Sequence, residues 1–281
     1  MYSKDNKVKI IQQAGVSSLK LLDEICKERK LTYYVCGGTL IGTIREHGFI
    51  PWDDDIDIMM PRKDYEWLLD HGRELFQDPF YLVDYRMESD RDIIKAHAVL
   101  YNKNVYILDQ NSNKEKRQFS YIDIFPLDGM PRGSIKQNLH YYHAFLWRII
   151  LQLSWYDNIV NQHKEGRNGI EKIAINIMNN VKYRPKWDSI KILGKWHRIM
   201  SKYEFDKSDT VCSLTGPRRK KEILRKEYFN EILRMPFESI EVNVPGGYDE
   251  ELKHYYGNYM MPPNTKEETV LHHRMTFIGG K

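Results

Sequence analysis

Residues 7–30 carry a helical period, with Ile11, Ala14, Leu21, Leu22 and Ile25 on one face and Lys and Glu opposite. A short β-rich run at 31–36 predicts a strand, and 37-GGTLIGTIREHGF-49 opens on two glycines and continues as a short helical segment. Pro51 bars a helix at that point. Residues 55–59 alternate acid and apolar side chains as a strand does. Residues 62–76 place Tyr65, Leu68, Leu69 and Leu75 at helical spacing. Several β-like runs fall between 81 and 108, among them 97-HAVLY-101 and 104-NVYIL-108. The polar 109-DQNSNKEKRQ-118 reads as a loop or hairpin tip, and 119-FSYIDIF-125 as a strand ended by Pro126.

Beyond about residue 133 the pattern turns to long helical periods at 135–163, 169–181 and 187–204, separated by Gly-Arg-Asn and Arg-Pro breaks. The tail is mixed, with 236-PFESIEVNVP-245, a helix near 248–256 and a Pro-Pro turn at 262–263. This order predicts an α+β protein with a small mixed sheet, flanking helices and a helical insertion. The expected division is a catalytic core at 1–132, a helical subdomain at 133–235 and a segment at 236–281 that returns to the core. A chain of 281 residues can bury a full core of this kind.

The net charge of +4 does not argue for nucleic-acid binding, though it suits anionic partners or a membrane surface. The three cysteines, Cys26, Cys36 and Cys212, are widely spaced without a C-x-x-C pair and read as reduced thiols of a cytoplasmic protein. No apolar h-region marks a signal peptide at the N-terminus. The most apolar stretch, 144-AFLWRIILQLSW-155, contains Arg148 and Gln152 and is too short to span a bilayer. It reads as a buried helix or one lying on a membrane. The basic run 217-PRRKKEILRKE-227 reads as a solvated face or as a contact for an anionic polymer or the inner membrane surface.

Four carboxylates, Asp53, Asp54, Asp55 and Asp57, crowd into five residues. On a strand, Asp55 and Asp57 share one face while Ile56 and Ile58 enter the core. Two carboxylates about 4 Å apart repel by about 4 kcal/mol at an effective dielectric of 20. A hard divalent cation removes that cost, and Mg²⁺ favours a few carboxylates with phosphate oxygens. Asp123, flanked by Ile122 and Ile124, has a similar setting and faces either solvent or a shared site. Three such acids can hold two metal ions around a phosphoryl group. Gly37 and Gly38 let backbone N–H groups approach a phosphate at a helix N-terminus, where Thr39 either caps the helix or donates to the phosphate.

Glycine pair, helix, Asp-x-Asp strand and later strand acid together look like the nucleotidyltransferase superfamily of the polymerase-β type. The passage 37-GGTLIGTIREHGFIPWDDDIDIMMPRKDYE-66 closely resembles the signature of the LicD phosphotransferase family, as do 121-YIDIFPLDG-129 and 236-PFESIEVNVPGGYDEELKHYYGNYMMPP-263. The resemblance implies a nucleotidyltransferase-like sheet and a Mg²⁺-dependent transferase, with one or two ions and Mn²⁺ able to substitute. Its best-known members use CDP-choline and place phosphocholine on sugars of teichoic acid or lipooligosaccharide. Relatives, the fukutin-like proteins among them, move other groups such as ribitol phosphate from CDP-ribitol. Carried onto this chain, the metal-binding and catalytic residues are Asp55, Asp57 and Asp123. Gly37, Gly38, Thr39 and Arg45 face the donor's phosphates, and Asp53 and Asp54 support. The implied partners are a CDP-alcohol and a glycan or lipid-linked glycopolymer. The implied location is the cytoplasm, with peripheral contact at the inner membrane face. A quaternary ammonium needs aromatic faces, and the supply is ample in 140-HYYHAFLW-147, Trp155-Tyr156, Tyr255, Tyr256 and Tyr259. The competing expectation is a nucleotidyltransferase in the narrower sense, which uses the same acids and releases pyrophosphate.

Overall fold

In the computed structural model, residues 4–87, 94–109, 116–156, 187–262 and 275–280 are described, with isolated positions at 169, 176 and 180. The first amphipathic stripe forms helix α1 (Lys4–Arg29), followed by the short strand β1 (Tyr34–Val35) and helix α2 (Gly37–Glu46). Strand β2 (Ile56–Pro61) runs directly into α3 (Arg62–Leu75), and β3 (Phe80–Val83) precedes the long strands β4 (Ala98–Asp109) and β5 (Lys116–Gly129). Helices α4 (Ser134–Ser154) and α5 (Ser189–Met200) come next, then the strands β6 (Thr210–Cys212) and β7 (Ile223–Arg225). A hairpin of β8 (Ile232–Phe237) and β9 (Ile240–Pro245), helix α6 (Tyr248–Tyr256) and strand β10 (Met275–Gly280) complete the described chain.

The main sheet runs β1-β2-β5-β4-β10, with β3 also on β4 and with β6 bridging β5 to β7. β2 and β5 are parallel, and the other pairs in the sheet are antiparallel. Alternation along β2 and β5 sends Ile56, Ile58, Ile122 and Ile124 into one core with Leu19 and Leu22 of α1, Leu40 of α2 and Tyr65 of α3. The β8–β9 hairpin closes that core with Phe237, Val242 and Val244. On the other side Val99, Tyr101 and Tyr121 pack with Tyr141 and Ala144 of α4 and with Leu193, Trp196 and Met200 of α5.

Two ionic ties lock elements far apart in sequence. Arg62, at the start of α3, donates to both carboxylate oxygens of Asp128 on β5 at 2.6 Å each. Arg62 Nη1 also lies 3.1 Å from His197 Nδ1 on α5, and His197 Nε2 lies 2.9 Å from the Ala96 carbonyl. That pairing requires neutral His197 with its proton on Nε2, and burial together with the Arg62 charge pushes its pKa well down. On the opposite flank Asp23 of α1 accepts from Arg234 at 2.6 and 3.1 Å, from Tyr33 at 2.7 Å, and pairs with Lys27 at 2.7 Å.

The α+β class and most of the expected elements match the structure. Three expectations change. Pro126 does not end its strand: β5 continues to Gly129, with Pro126 opposite Met60 of β2. Pairing with β4 stops at Ile124, so the proline falls where one flank of β5 has no ladder neighbour. The stretch 133–235 is not wholly helical, because it contains β6, β7 and β8, and β6 joins the main sheet. Strands of three residues are too short for alternation to register. The strand expected at 31–36 shrinks to Tyr34–Val35. The tip at 110–115, nearly all of 169–181 and the end of the first helical block at 157–163 lie outside the described residues. Asp109 pairs with Lys116, so the flanks of the polar tip form a hairpin. Among the described residues no helix is long and apolar enough to cross a membrane.

The Asp23 tie has a defined pH signature. Burial raises the Asp23 carboxyl, but hydrogen bonds from Arg234, Lys27 and Tyr33 outweigh it and leave the pKa below its ordinary value. A depressed carboxylate stabilises the fold above its unfolded pKa and loses that contribution as pH falls through the folded one. Asp23→Asn is expected to cost about 2 kcal/mol at neutral pH. The gap from wild type should close as pH drops below about 4, which urea unfolding across that range measures.

Candidate active site: an acidic cleft on the β2–β5 pair

The parallel register sets Asp57 directly opposite Asp123. With Ile56, Ile58, Ile122 and Ile124 buried on one face, both acids emerge on the other. The start of β2 and the chain just before it are fixed from several sides. Asp57 N–H donates to Thr39 Oγ1 at 2.9 Å, its carbonyl accepts from Cys36 N–H at 3.0 Å, and Gln12 Nε2 donates to the Asp53 carbonyl at 2.8 Å. Thr39 is thus turned inward as a strut for β2, and its side chain is buried.

The glycine pair gives the acids room. Gly37 has φ +60°, and a Cβ there would sit 3.2 Å from Asp57 Oδ2. A Cβ on Gly38 would collide with the Asp53 carboxylate. Both residues open α2, whose N-terminal N–H groups favour negative charge. Among the described residues, carboxylate atoms of Asp53, Asp54 and Asp55 lie within 4.8 Å of one another. Three carboxylates at that spacing could share one ion.

Burial pushes the Asp57 carboxyl well above the usual range, and Asp55 and Asp123 add to it. Asp53 rises likewise, through burial and then Asp55, Asp57 and Asp54. Asp123 behaves oppositely. Burial would raise it, but the Lys95 ammonium and His97 outweigh burial and hold it below the carboxylate range. Lys95 Nζ donates to Asp123 at 2.8 and 3.1 Å, and His97 Nε2 stands 3.1 Å from Oδ1, in ion-pair range without hydrogen-bond alignment.

The acids line a cleft of about 690 Å³ together with Gly37, Gly38 and Arg45. Its other wall comes from later in the chain: Arg148 of α4, the segment 213–218, and Tyr255, Tyr256 and Tyr259. Arg45 lines the cleft, yet it pairs with Glu46 at 2.6 Å and donates to the Tyr259 carbonyl at 3.3 Å. The arginine turned toward the acids is Arg218, whose charge opposes the upward shift of Asp57. Its guanidinium lies 4.7 Å from the Tyr255 ring centre and 4.8 Å from that of Tyr256, and it hydrogen-bonds the Tyr256 hydroxyl. Glu222 accepts from the Arg218 backbone N–H at 2.9 Å and from the Tyr255 hydroxyl at 3.0 Å. Arg218 lies in the basic run, but the residues after it, Lys220 and Lys221, are exposed, so composition alone did not single it out. Lys95 and His97 carried no signal beyond their two-residue spacing before β4. The three cysteines are free and buried.

The family model described as LicD/FKTN/FKRP, nucleotidyltransferase domain, matches residues 30–147. Across 278 residues, 95% of this chain and 98% of the relative, the sequence is 30% identical to the lipopolysaccharide cholinephosphotransferase LicD of Haemophilus influenzae. The chain belongs to the LicD family. A second relative, the uncharacterized protein RP689 of Rickettsia prowazekii, is 30% identical over 133 residues, 45% of this chain and 46% of its own. The LicD family match contains all the clustered acids and the glycine pair, while Arg218 and the three cleft tyrosines lie beyond it.

The contacts around α2 generate a stability test. Gly38→Ala drives a methyl group into the buried Asp53 carboxylate and is expected to destabilise by about 1–3 kcal/mol. Gly194→Ala, in α5 with nothing within 4 Å of the new Cβ, is expected to stabilise by up to about 1 kcal/mol. Thermal unfolding should separate the two in opposite directions.

Proposed function

We propose that this LicD-family chain transfers phosphocholine from CDP-choline to a sugar hydroxyl of a cell-surface glycan precursor, of the lipopolysaccharide or teichoic acid type, and releases CMP. The observation that carries the reading is the pairing of two walls in one cleft. One is a cluster of acids suited to phosphoryl chemistry, and the other is a pair of tyrosine faces that already hold a cation. The relative's name, a lipopolysaccharide cholinephosphotransferase, supports the same group and acceptor class. The parallel acid-bearing strands behind a Gly-Gly helix start support a nucleotidyltransferase-like core.

The donor set fits a hard divalent cation. Half-buried Asp57 sits among Asp55 and Asp123 and is pushed toward its neutral form unless positive charge is close. Asp55, Asp57 and Asp123 would hold Mg²⁺, as one ion or two with Mn²⁺ able to substitute, and the bound metal would polarise the phosphoryl oxygens. Arg218 and Arg148 offer forked donors to the diphosphate from the opposite wall. The N–H groups of Gly37 and Gly38 favour the same negative charge from below. The acceptor oxygen attacks the phosphorus that bears choline, a new P–O bond forms, and the bond to the bridging oxygen breaks with its electron pair leaving on CMP. The hydroxyl proton passes to a carboxylate of the cluster. With Arg218 drawn from the Tyr255 and Tyr256 rings to the diphosphate, those rings would take the quaternary ammonium in its place. A CDP-linked donor would confine the reaction to the cytoplasm.

Incubation with Mg²⁺ and a panel of CDP-alcohols is expected to release CMP from CDP-choline, and EDTA should stop it. Asp57→Asn and Asp123→Asn should each lower the rate roughly 10³-fold. Preference for CDP-ribitol would reassign the transferred group, and pyrophosphate release from a nucleoside triphosphate would move the chain to the narrower nucleotidyltransferase reading. Tyr256→Ala is expected to raise the KM for CDP-choline about tenfold, with little change for a CDP-alcohol that lacks a cation. Equal effects on both donors would remove the tyrosine face from choline recognition.

A further inference from the structure

Helix α4 is apolar on two faces. One face, with Tyr141, Ala144 and Leu151, belongs to the core beneath the sheet. The other displays Ile135, Leu139, Tyr142, Leu146 and Ile149, spaced four, three, four and three residues apart. These five are between 38% and 76% exposed. A surface helix normally turns one apolar stripe inward and polar residues outward, and a contiguous exposed stripe marks a surface that something covers.

Charge around the stripe says what. Within α4 there is no Asp or Glu, while Lys136 and His143 are exposed beside the stripe. The basic run 217–221 is fastened to the same helix at two points. Arg148 donates to the Gly216 carbonyl at 2.7 Å, and Lys220 Nζ donates to Asn138 Oδ1 at 2.9 Å. Lys220 also lies 4.4 Å from the centre of the Tyr142 ring, so its ammonium stands at the edge of the stripe. Lys221 is exposed next to it, and Glu222, the acid that follows, is buried. An apolar ridge rimmed by lysines, with an amphipathic tyrosine among its side chains, has the composition of a helix lying in a lipid interface. A second copy of this chain would bring two basic rims together, which disfavours that occupant.

We propose that the outer face of α4, with Lys136, Lys220 and Lys221, docks this protein on an anionic lipid surface. Arg148 of the same helix lines the acidic cleft, so docking brings the cleft beside that surface, where a lipid-linked acceptor is anchored. The docking stands independently of which group the cleft transfers.

Flotation with phosphatidylcholine vesicles, with and without phosphatidylglycerol, tests it on the full chain. Wild type should float with the anionic vesicles and much less with neutral ones, and added salt should weaken the binding. Each of Lys136→Ala, Lys220→Ala and Lys221→Ala should weaken it about fivefold. The double change Leu139→Glu with Leu146→Glu should abolish it, while CMP release from a soluble donor stays at the wild-type rate. The glutamates fall on exposed positions, and circular dichroism confirms that the variant folds. Absence of vesicle binding by wild type, equal binding to neutral vesicles, or a double variant that floats normally would overturn the proposal. So would a concentration-dependent dimer, seen by sedimentation, that the double variant dissolves without any change in flotation.

Discussion

Two carboxylates set opposite each other on adjacent parallel strands are the constraint around which this molecule is arranged. Neighbouring strands lie about 4.8 Å apart. At that spacing Asp57 and Asp123 repel by about 3 kcal/mol at an effective dielectric of 20, and Asp53, Asp54 and Asp55 crowd the same end. The surrounding chain meets this cost with charge drawn from distant places in the sequence. Lys95 and His97 stand against Asp123, Arg218 acts on Asp57, and the N-terminus of α2 lies under Asp53 and Asp57. The result is an asymmetric site, in which Asp123 is held ionised while Asp53 and Asp57 are driven toward protonation.

Holding like charges together also demands rigid strands. The isoleucines that alternate with the acids are fully buried, so a one-residue slip of either strand would exchange core and cleft. Beyond the acids, the Arg62–Asp128 pair ties the end of β5 to the start of α3. Because α3 follows β2 without a loop, this tie sets both acid-bearing strands against each other. His197 joins the same arginine to α5, so that helix braces the site from behind while Arg148 of α4 lines it from the side.

What could be read from the sequence follows from the range of the physics involved. The acids, the glycines and the alternating isoleucines interact within a few residues, so their pattern predicted a strand and a tight turn. At the far end of the chain, β10 pairs with β4. Arg45 and Thr39 were found as neighbours of the acids, but local proximity did not reveal that one is engaged by Glu46 and the other is a strut. Arg218 was hidden for the opposite reason. It lies far from the acids in sequence, in a run whose other basic residues face solvent, and only the folding of 213–218 over the cleft turns it inward. For α4 the sequence left two readings open, a buried helix or one lying on a membrane, because a helix apolar on both sides fits either.

The two walls of the cleft therefore do separate jobs and come from separable parts of the chain. Residues 30–147, the part that matches the family model, contain every acid and both glycines. On the proposed reading the acids handle the phosphate-linked group and would serve any alcohol equally. The faces that could tell choline from an uncharged alcohol are Tyr255 and Tyr256, more than a hundred residues past the end of that match. Specificity is a difference between affinities, and a cation over an aromatic face gains what a neutral group there does not. Substitution in the second wall can thus change the transferred group without touching the strand pair that makes transfer feasible. This is a physical reason why one acid-bearing core could be adapted to different alcohols.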